Sequence, residues 1–358
     1  MITIYVTEPG SYITVQNDHL LVFHQERLYY KVFIPQVGQI VIFGKSTVKS
    51  EAASLALFRR IPILFLSNQG ESLSSLEYKW QRKPKYLPQQ EDRADDQEFA
   101  KATAESVIRA KLHNCCVLLL QSTPDYSPPA VQVALDVILL LIDDLSMADS
   151  IDELQEYEMM AATFYYAALA ALLPSELNFE QRTHGWATDP VNRLLNLGYA
   201  LLHQQIYTLV KTWGLHPDLA NLHQSIHYDS PLVWDLMAEF RAPLVDELVL
   251  DLVNSEILTL EDFTTQEHHQ GGRMYLYPEG LRTFIQYWED KLQAQIVHPH
   301  AGKVSGRRCL ELQVRSYIAC LLEDVEFYRP MHVNLNPTSL PVYPSVEQET
   351  ESLVLTKV

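Results

Sequence analysis

The sequence predicts an α+β protein in which a small N-terminal β-rich domain, β-sandwich-like with one helix, precedes a larger all-α domain. Three observations lead there. Residues 1–80 are dominated by short apolar runs of strand type, punctuated by Pro9-Gly10, Asn17-Asp18 and Gly44. From about residue 98 the apolar residues recur at three-to-four spacing almost everywhere. Between the two lies Gln81 to Asp96, with Pro84, Pro88, paired Gln and the charge run EDRADD, and almost nothing to bury.

The strand-type runs are ITIYVT (2–7), HLLVFHQ (19–25), RLYYKVFI (27–34), QIVIFG (39–44), IPILFLS (61–67) and a short one near Leu73 to Trp80, with one helix over about Val48 to Phe58. The helical periodicity covers 98–120, 129–147, 151–173, 188–213, 230–258, 278–296 and 306–324. These readings divide the chain into a β-rich domain at 1–80, a linker at 81–97, a helical domain at 98–329 and a Pro-, Ser- and Glu-containing tail at 330–358, expected to be mobile or to lie across a partner.

The 358 residues carry 27 Lys/Arg against 45 Asp/Glu, a formal charge of −18, with 47% hydrophobic residues. This excludes a polybasic surface spread over the whole chain. The charge is uneven: residues 1–85 hold 10 basic and 6 acidic residues (+4), and the remainder 17 and 39 (−22). Four cysteines, Cys115, Cys116, Cys309 and Cys320, form no C-x-x-C and read as reduced thiols. The start lacks a cationic, long apolar leader. The charge-free stretch from Met159 to Ser175 is short of the roughly 20 residues a spanning helix needs, so the expectation is a cytoplasmic protein that meets no membrane.

No G-x-x-x-x-G-K, G-x-G-x-x-G or G-x-S-x-G occurs, so nucleotide-driven chemistry and a serine nucleophile have no candidate. The informative set is carboxylate and histidine: Glu158 in the third long helix, His223 ahead of the helix near Pro231, and Asp235 and Glu239 spaced i, i+4. That spacing puts two carboxylates on one helix face, where a hard divalent ion collects oxygens. The bland alternative is a solvated acidic face. His223 and His227 share the same spacing, but H-Q-S-I-H lacks the glutamate of a zinc hydrolase.

Eight strings, in order, then carry a resemblance: TEPGSY (7–12), QIVIFG (39–44), RRIPILFLS (59–67), DPVNRLLNLGYALL (189–202), GLHPDLANLH (214–223), DLMAEFRAPLVDELV (235–249), GGRMYLYPEG (271–280) and RRCLELQVR (307–315). Over residues 1 to 330 the chain resembles the CRISPR-associated spacer-acquisition integrases, metal-dependent nucleases that insert spacers into CRISPR arrays. The resemblance implies a homodimer formed through the N-terminal domain, a small ferredoxin-like adaptation partner, double-stranded and branched DNA as substrates, and Mg²⁺ or Mn²⁺ as cofactor.

It also implies site residues. Glu158, in EYEMMAATFYY (156–166), and His223 fall on two of the family's metal-ligand positions and are the expected catalytic pair. The third position falls on Ala238, which has no oxygen to offer, leaving Asp235 and Glu239 to complete the site. Glu156 and Met159 stand where the family has glycines, and Thr163 where it has arginine. DNA contacts are expected from Arg59, Arg60, Lys79, Arg82, Lys83 and Lys85 at the first domain and hinge, and from Lys303, Arg307, Arg308 and Arg315 in the second. Two functions follow: an active integrase and endonuclease, or a catalytically weakened relative that holds DNA or assembles the complex.

Overall fold

A computed structural model of the chain describes residues 2–67, 72–77, 83–123, 126–223, 229–268 and 271–334. Lys79, Arg82, His227 and all of the tail beyond 334 lie outside them. The N-terminal domain runs β1 (Ile2–Val6), β2 (Tyr12–Gln16), β3 (His19–His24), β4 (Arg27–Phe33), β5 (Val37–Phe43), β6 (Thr47–Val48), α1 (Ser50–Phe58), β7 (Ile63–Leu66) and β8 (Ser72–Leu76). One sheet has the order β1-β5-β7-β8 and the other β4-β3-β2-β6. Asn17 and Asp18, both at positive φ, make the tight turn joining β2 to β3, and Gln25-Glu26 do the same between β3 and β4. The sequence reading has no strand at Tyr12–Gln16, a five-residue element squeezed between two turns.

Period-two alternation in β5 sets how the domains join. Ile40 and Ile42 point into the N-terminal core with Ile4, Ile13, Leu20 and Ile63. Val41 and Phe43 point the other way and join Leu64 and Leu66 in the large helical core. A strand covered on both faces reads as an unbroken apolar run, as QIVIF does. Polar clamps reinforce the contact: Tyr5 donates to Glu289 (2.7 Å), Arg307 grips both oxygens of Glu289 (2.8 and 2.7 Å) and reaches Gln205 (2.9 Å), and Arg282 pairs with Glu8.

The second domain comprises α2 (Leu87–Ala94), α3 (Gln97–Gln121), α4 (Pro129–Asp144), α5 (Ile151–Ala171), α6 (Pro190–Thr212), α7 (Pro231–Met237), α8 (Glu247–Asn254), β9 (Phe263–His268), β10 (Gly271–Leu276), α9 (Pro278–Gln293), β11 (Gln295–His298), β12 (Gly302–Ser305) and α10 (Gly306–Leu321). Helix starts follow the sequence: Asp96 caps α3 through Phe99 N (3.0 Å), Ser150 caps α5 through Glu153 N (3.2 Å), and Asp189, followed by Pro190, caps α6 through Asn192 N (2.8 Å). Two hairpins, β9–β10 and β11–β12, interrupt what the sequence reads as all-α. The stretch read as a linker contains α2, whose Gln90 is buried against the backbone of His216.

The predicted 230–258 helix is broken between α7 and α8 by a 3-10 turn at Ala238–Phe240 and a π turn at Arg241–Asp246. Pro243 is the reason: it has no N–H to give the carbonyl four residues back, which belongs to Glu239. Asn114 of α3 donates to that freed carbonyl instead (2.7 Å). Helix α6 passes the π turn so closely that a Cβ on Gly198 would sit 2.5 Å from Val245 Cγ1. The first residues of the predicted tail are also pinned, with Met331 buried and Val333 N donating to Asn114 (2.9 Å).

Candidate metal and DNA site

Glu158 and His223 come together because α5 holds both. Glu158 projects from the buried face of α5, and one turn earlier Gln155 donates to the carbonyl of Leu222 (2.6 Å), tying down the loop that ends in His223. Glu158 Oε2 and His223 Nε2 stand 4.0 Å apart, and both residues are buried. Asp235 of α7 fixes the histidine from behind. Its carboxylate accepts the backbone N–H groups of Asn221 (2.8 Å), Leu222 (3.0 Å) and His223 (3.0 Å), and lies 2.8 Å from His223 Nδ1. Nδ1 thereby faces the Asp235 carboxylate, and Nε2 is turned towards Glu158.

Asp235 is thus an orienting group on the far side of the imidazole from Glu158. Glu239 departs further from its expected role as a ligand. The 3-10 turn directs it into a separate buried niche, where Tyr328 Oη (2.8 Å), Gln313 Nε2 (3.3 Å) and the backbone N–H of Met331 all donate to it. Burial pushes its carboxyl up to about 7, against the opposing effect of those donors. Ala238, buried one residue before it, presents a methyl group. Thr163 spends its hydroxyl on its own helix, bonding the carbonyl of Met159 (3.1 Å).

Among the described residues no three His, Cys, Asp or Glu side chains converge as metal ligands. The donors do fit an ion held by two protein groups: a carboxylate oxygen and an imidazole nitrogen 4.0 Å apart are of the type that suits Mg²⁺ or Mn²⁺, with water and phosphate supplying the other positions. The second oxygen of Glu158 is occupied by a side chain the sequence reading did not single out. Lys111 Nζ of α3 lies 2.5 Å from Oε1. Burial alone would raise the Glu158 carboxyl, but Lys111, His223 and Arg241 outweigh it and hold the group down at about 2.

A cavity of about 510 Å³ opens between α6, α7 and the β9–β10 hairpin, lined by Arg182, Arg241 and Arg273 with Tyr199, His203 and Trp234. Arg241 belongs to both places: it acts on Glu158, and it stacks over Trp234 (5.1 Å) and Tyr199 (5.4 Å). Burial and the nearby arginines lower His184 and His203 to about 4, so both rings are neutral at pH 7 and the positive charge is carried by arginine. Cationic guanidinium groups interleaved with aromatic faces suit a single-stranded nucleic acid, whose phosphates and bases they address in turn.

Among the described residues, none of the basic ones expected from the sequence lines this cavity. Arg59, Arg60, Lys83, Lys85 and Lys303 are exposed elsewhere. Arg308 pairs with Glu311 (2.5 Å) and Arg315 lies over Trp213 (5.2 Å). The fork of Arg307 is taken up by Glu289 at the junction of the domains. The missed cavity arginines had a signal: Arg241 lies in DLMAEFRAPLVDELV and Arg273 in GGRMYLYPEG, two of the family strings. Lys111 had none, buried in the periodic apolar pattern of α3.

Known proteins share this architecture. A family model described as CRISPR associated protein Cas1 matches residues 4–290. The CRISPR-associated endonuclease Cas1 3 of Thermus thermophilus is 30% identical over 335 residues, covering 92% of this chain and 97% of its own. The CRISPR-associated endonuclease Cas1 4 of Methanospirillum hungatei is 25% identical, covering 92% and 90%. Among solved structures, a casposase bound to integration product has a TM-score of 0.79 at 21% identity, covering 98% of this chain and 96% of its own. A Cas1 protein from Thermotoga maritima has a TM-score of 0.76 at 20% identity, covering 90% and 97%. A Cas6-RT-Cas1–Cas2 complex chain has a TM-score of 0.81 at 21% identity, covering 94% of this chain and 36% of its own. At these identities the structural likenesses establish the fold, and the family model and the Thermus relative carry the assignment. The chain belongs to the CRISPR-associated Cas1 family.

Proposed function

We propose that this chain is an integrase and endonuclease of CRISPR adaptation. A 3′-hydroxyl of a spacer precursor attacks a repeat phosphodiester, so that one O–P bond forms as another breaks. The observation that carries the reading is the Glu158–His223 pair, 4.0 Å apart, beside a cavity of arginines and aromatic rings. Mg²⁺ or Mn²⁺ is the cofactor these donors suit, and when bound it supplies electrostatic stabilisation of the phosphoryl oxygens. Asp235 holds the imidazole, Arg241 faces both the carboxylate and the cavity, and Trp234 with Tyr199 offers stacking surfaces for a strand end.

A homodimer is supported by β4, an edge strand whose Leu28, Tyr29, Tyr30 and Phe33 are all about half exposed. Double-stranded and branched DNA are the substrates of this reading, and a small ferredoxin-like adaptation protein is its second partner. Among the described residues no helix is long and apolar enough to cross a membrane.

A second reading has its own support: Ala238 and the Lys111–Glu158 ion pair favour a catalytically weakened member that holds DNA or assembles the complex. Half-site integration on labelled branched DNA, with Mn²⁺ or Mg²⁺, separates the two. Activity in the wild type that Glu158→Ala abolishes supports the integrase. An inactive wild type that Ala238→Glu activates leaves only the weakened member.

A further inference from the structure

The carboxylate expected to carry an ion already has a cation on it. Lys111 and Glu158 project from neighbouring helices, α3 and α5, with only 13% and 11% of their side chains exposed. Among the described residues Glu158 is the one ion-pair partner of Lys111. A salt bridge so shielded from water neutralises both members, and removing either leaves the other buried and unpaired.

The local charge count explains why the pair matters. A divalent ion beside Glu158 and His223 would find the Glu158 carboxylate shared with the Lys111 ammonium, the Asp235 carboxylate taken up behind the imidazole, and the Arg241 guanidinium nearby. Ala238 contributes no compensating anion. Ammonium and ion thus compete for the same negative charge, and the lysine is covalently tethered at high effective concentration.

Building on the integrase reading, we propose that Lys111 is a resident cation that competes with the divalent ion for Glu158, so that this site loads metal fully only when DNA phosphates draw the ammonium away. Phosphate is the natural alternative partner for a lysine on a flexible stem, and a strand reaching Arg241 from the cavity brings phosphates towards the same carboxylate. Loading then depends on substrate, which guards against cleavage of DNA by an idle enzyme.

The test is Mn²⁺ binding to the full-length protein, followed by water-proton relaxation at neutral pH with and without a branched DNA duplex. Lys111→Met should bind Mn²⁺ about ten-fold more tightly than wild type in the absence of DNA. DNA should tighten binding to the wild type and do less for the variant. Lys111→Gln, which can still hydrogen-bond Oε1 without charge, should behave like Lys111→Met and serves if the methionine variant does not fold. Unchanged or weaker Mn²⁺ binding in these variants overturns the proposal. Integration assayed in parallel keeps the two readings apart: tightened Mn²⁺ binding with no strand transfer upholds the competition and removes the integrase, whereas strand transfer with unaltered Mn²⁺ affinity does the reverse.

Discussion

Asp235 Oδ1 lies 2.8 Å from Nδ1 of His223, and the same carboxylate receives three backbone N–H groups from the loop that presents this histidine. One buried side chain therefore shapes the loop and turns Nε2 towards Glu158. Asp235→Asn keeps the size but offers one acceptor oxygen where two are used. Strand transfer should fall about 10- to 100-fold, as for other groups that orient a metal-ligating histidine. Melting temperature should fall with it. Retention of full activity by Asp235→Asn would show that the histidine needs no such support.

Ala238 is three residues after Asp235, on the same side of the helix. Ala238→Glu restores a carboxylate at the third ligand position that the resemblance implies and should strengthen Mn²⁺ binding by about ten-fold or more, read by titration of the full-length chain. The position is 1% exposed, so the same change should also lower the melting temperature.

Glu239 makes stability depend on pH in a definite direction. Its carboxyl titrates at about 7 in the folded protein, above the ordinary 4.5, so the folded state holds the proton more tightly. The stabilisation this provides is complete below about 4.5, declines as pH rises, and is gone above about 7. Glu239→Gln cannot ionise. The wild type should lose melting temperature relative to this variant between pH 4.5 and 7, and a constant difference across that window would refute the assignment.

Arginines in different settings should respond differently. Arg273→Gln, on the cavity wall, should weaken single-stranded DNA binding and reduce the salt dependence of log affinity by roughly one phosphate contact. Arg307→Gln breaks the fork on Glu289 and should lower the melting temperature while leaving the salt dependence unchanged. A loss of salt dependence in Arg307→Gln would return that residue to the DNA surface.

The long helices were legible because their apolar repeats are local, and α3, α5 and α6 each begin within two residues of the start that the repeat gives. The break after Met237 was not, although Pro243 announces it, because an uninterrupted apolar repeat runs through it to Val253. Glu158 and His223 were legible by resemblance. Their surroundings were not, since Lys111 lies 47 residues before Glu158 and meets it only through the packing of α3 on α5. The overall charge of −18 hid the cavity as well, because Arg182, Arg241 and Arg273 are far apart in sequence and converge only in the fold.

Strand β5 gives its two faces to two different cores. A protease that cut the backbone around residue 83 would therefore leave both fragments bound together, exposing Val41 and Phe43 only if they were pulled apart. The two domains cannot swing as a hinge about the connecting segment without opening that apolar contact. Any large rearrangement would then have to move the chain as one body or first open the contact that Val41 and Phe43 make.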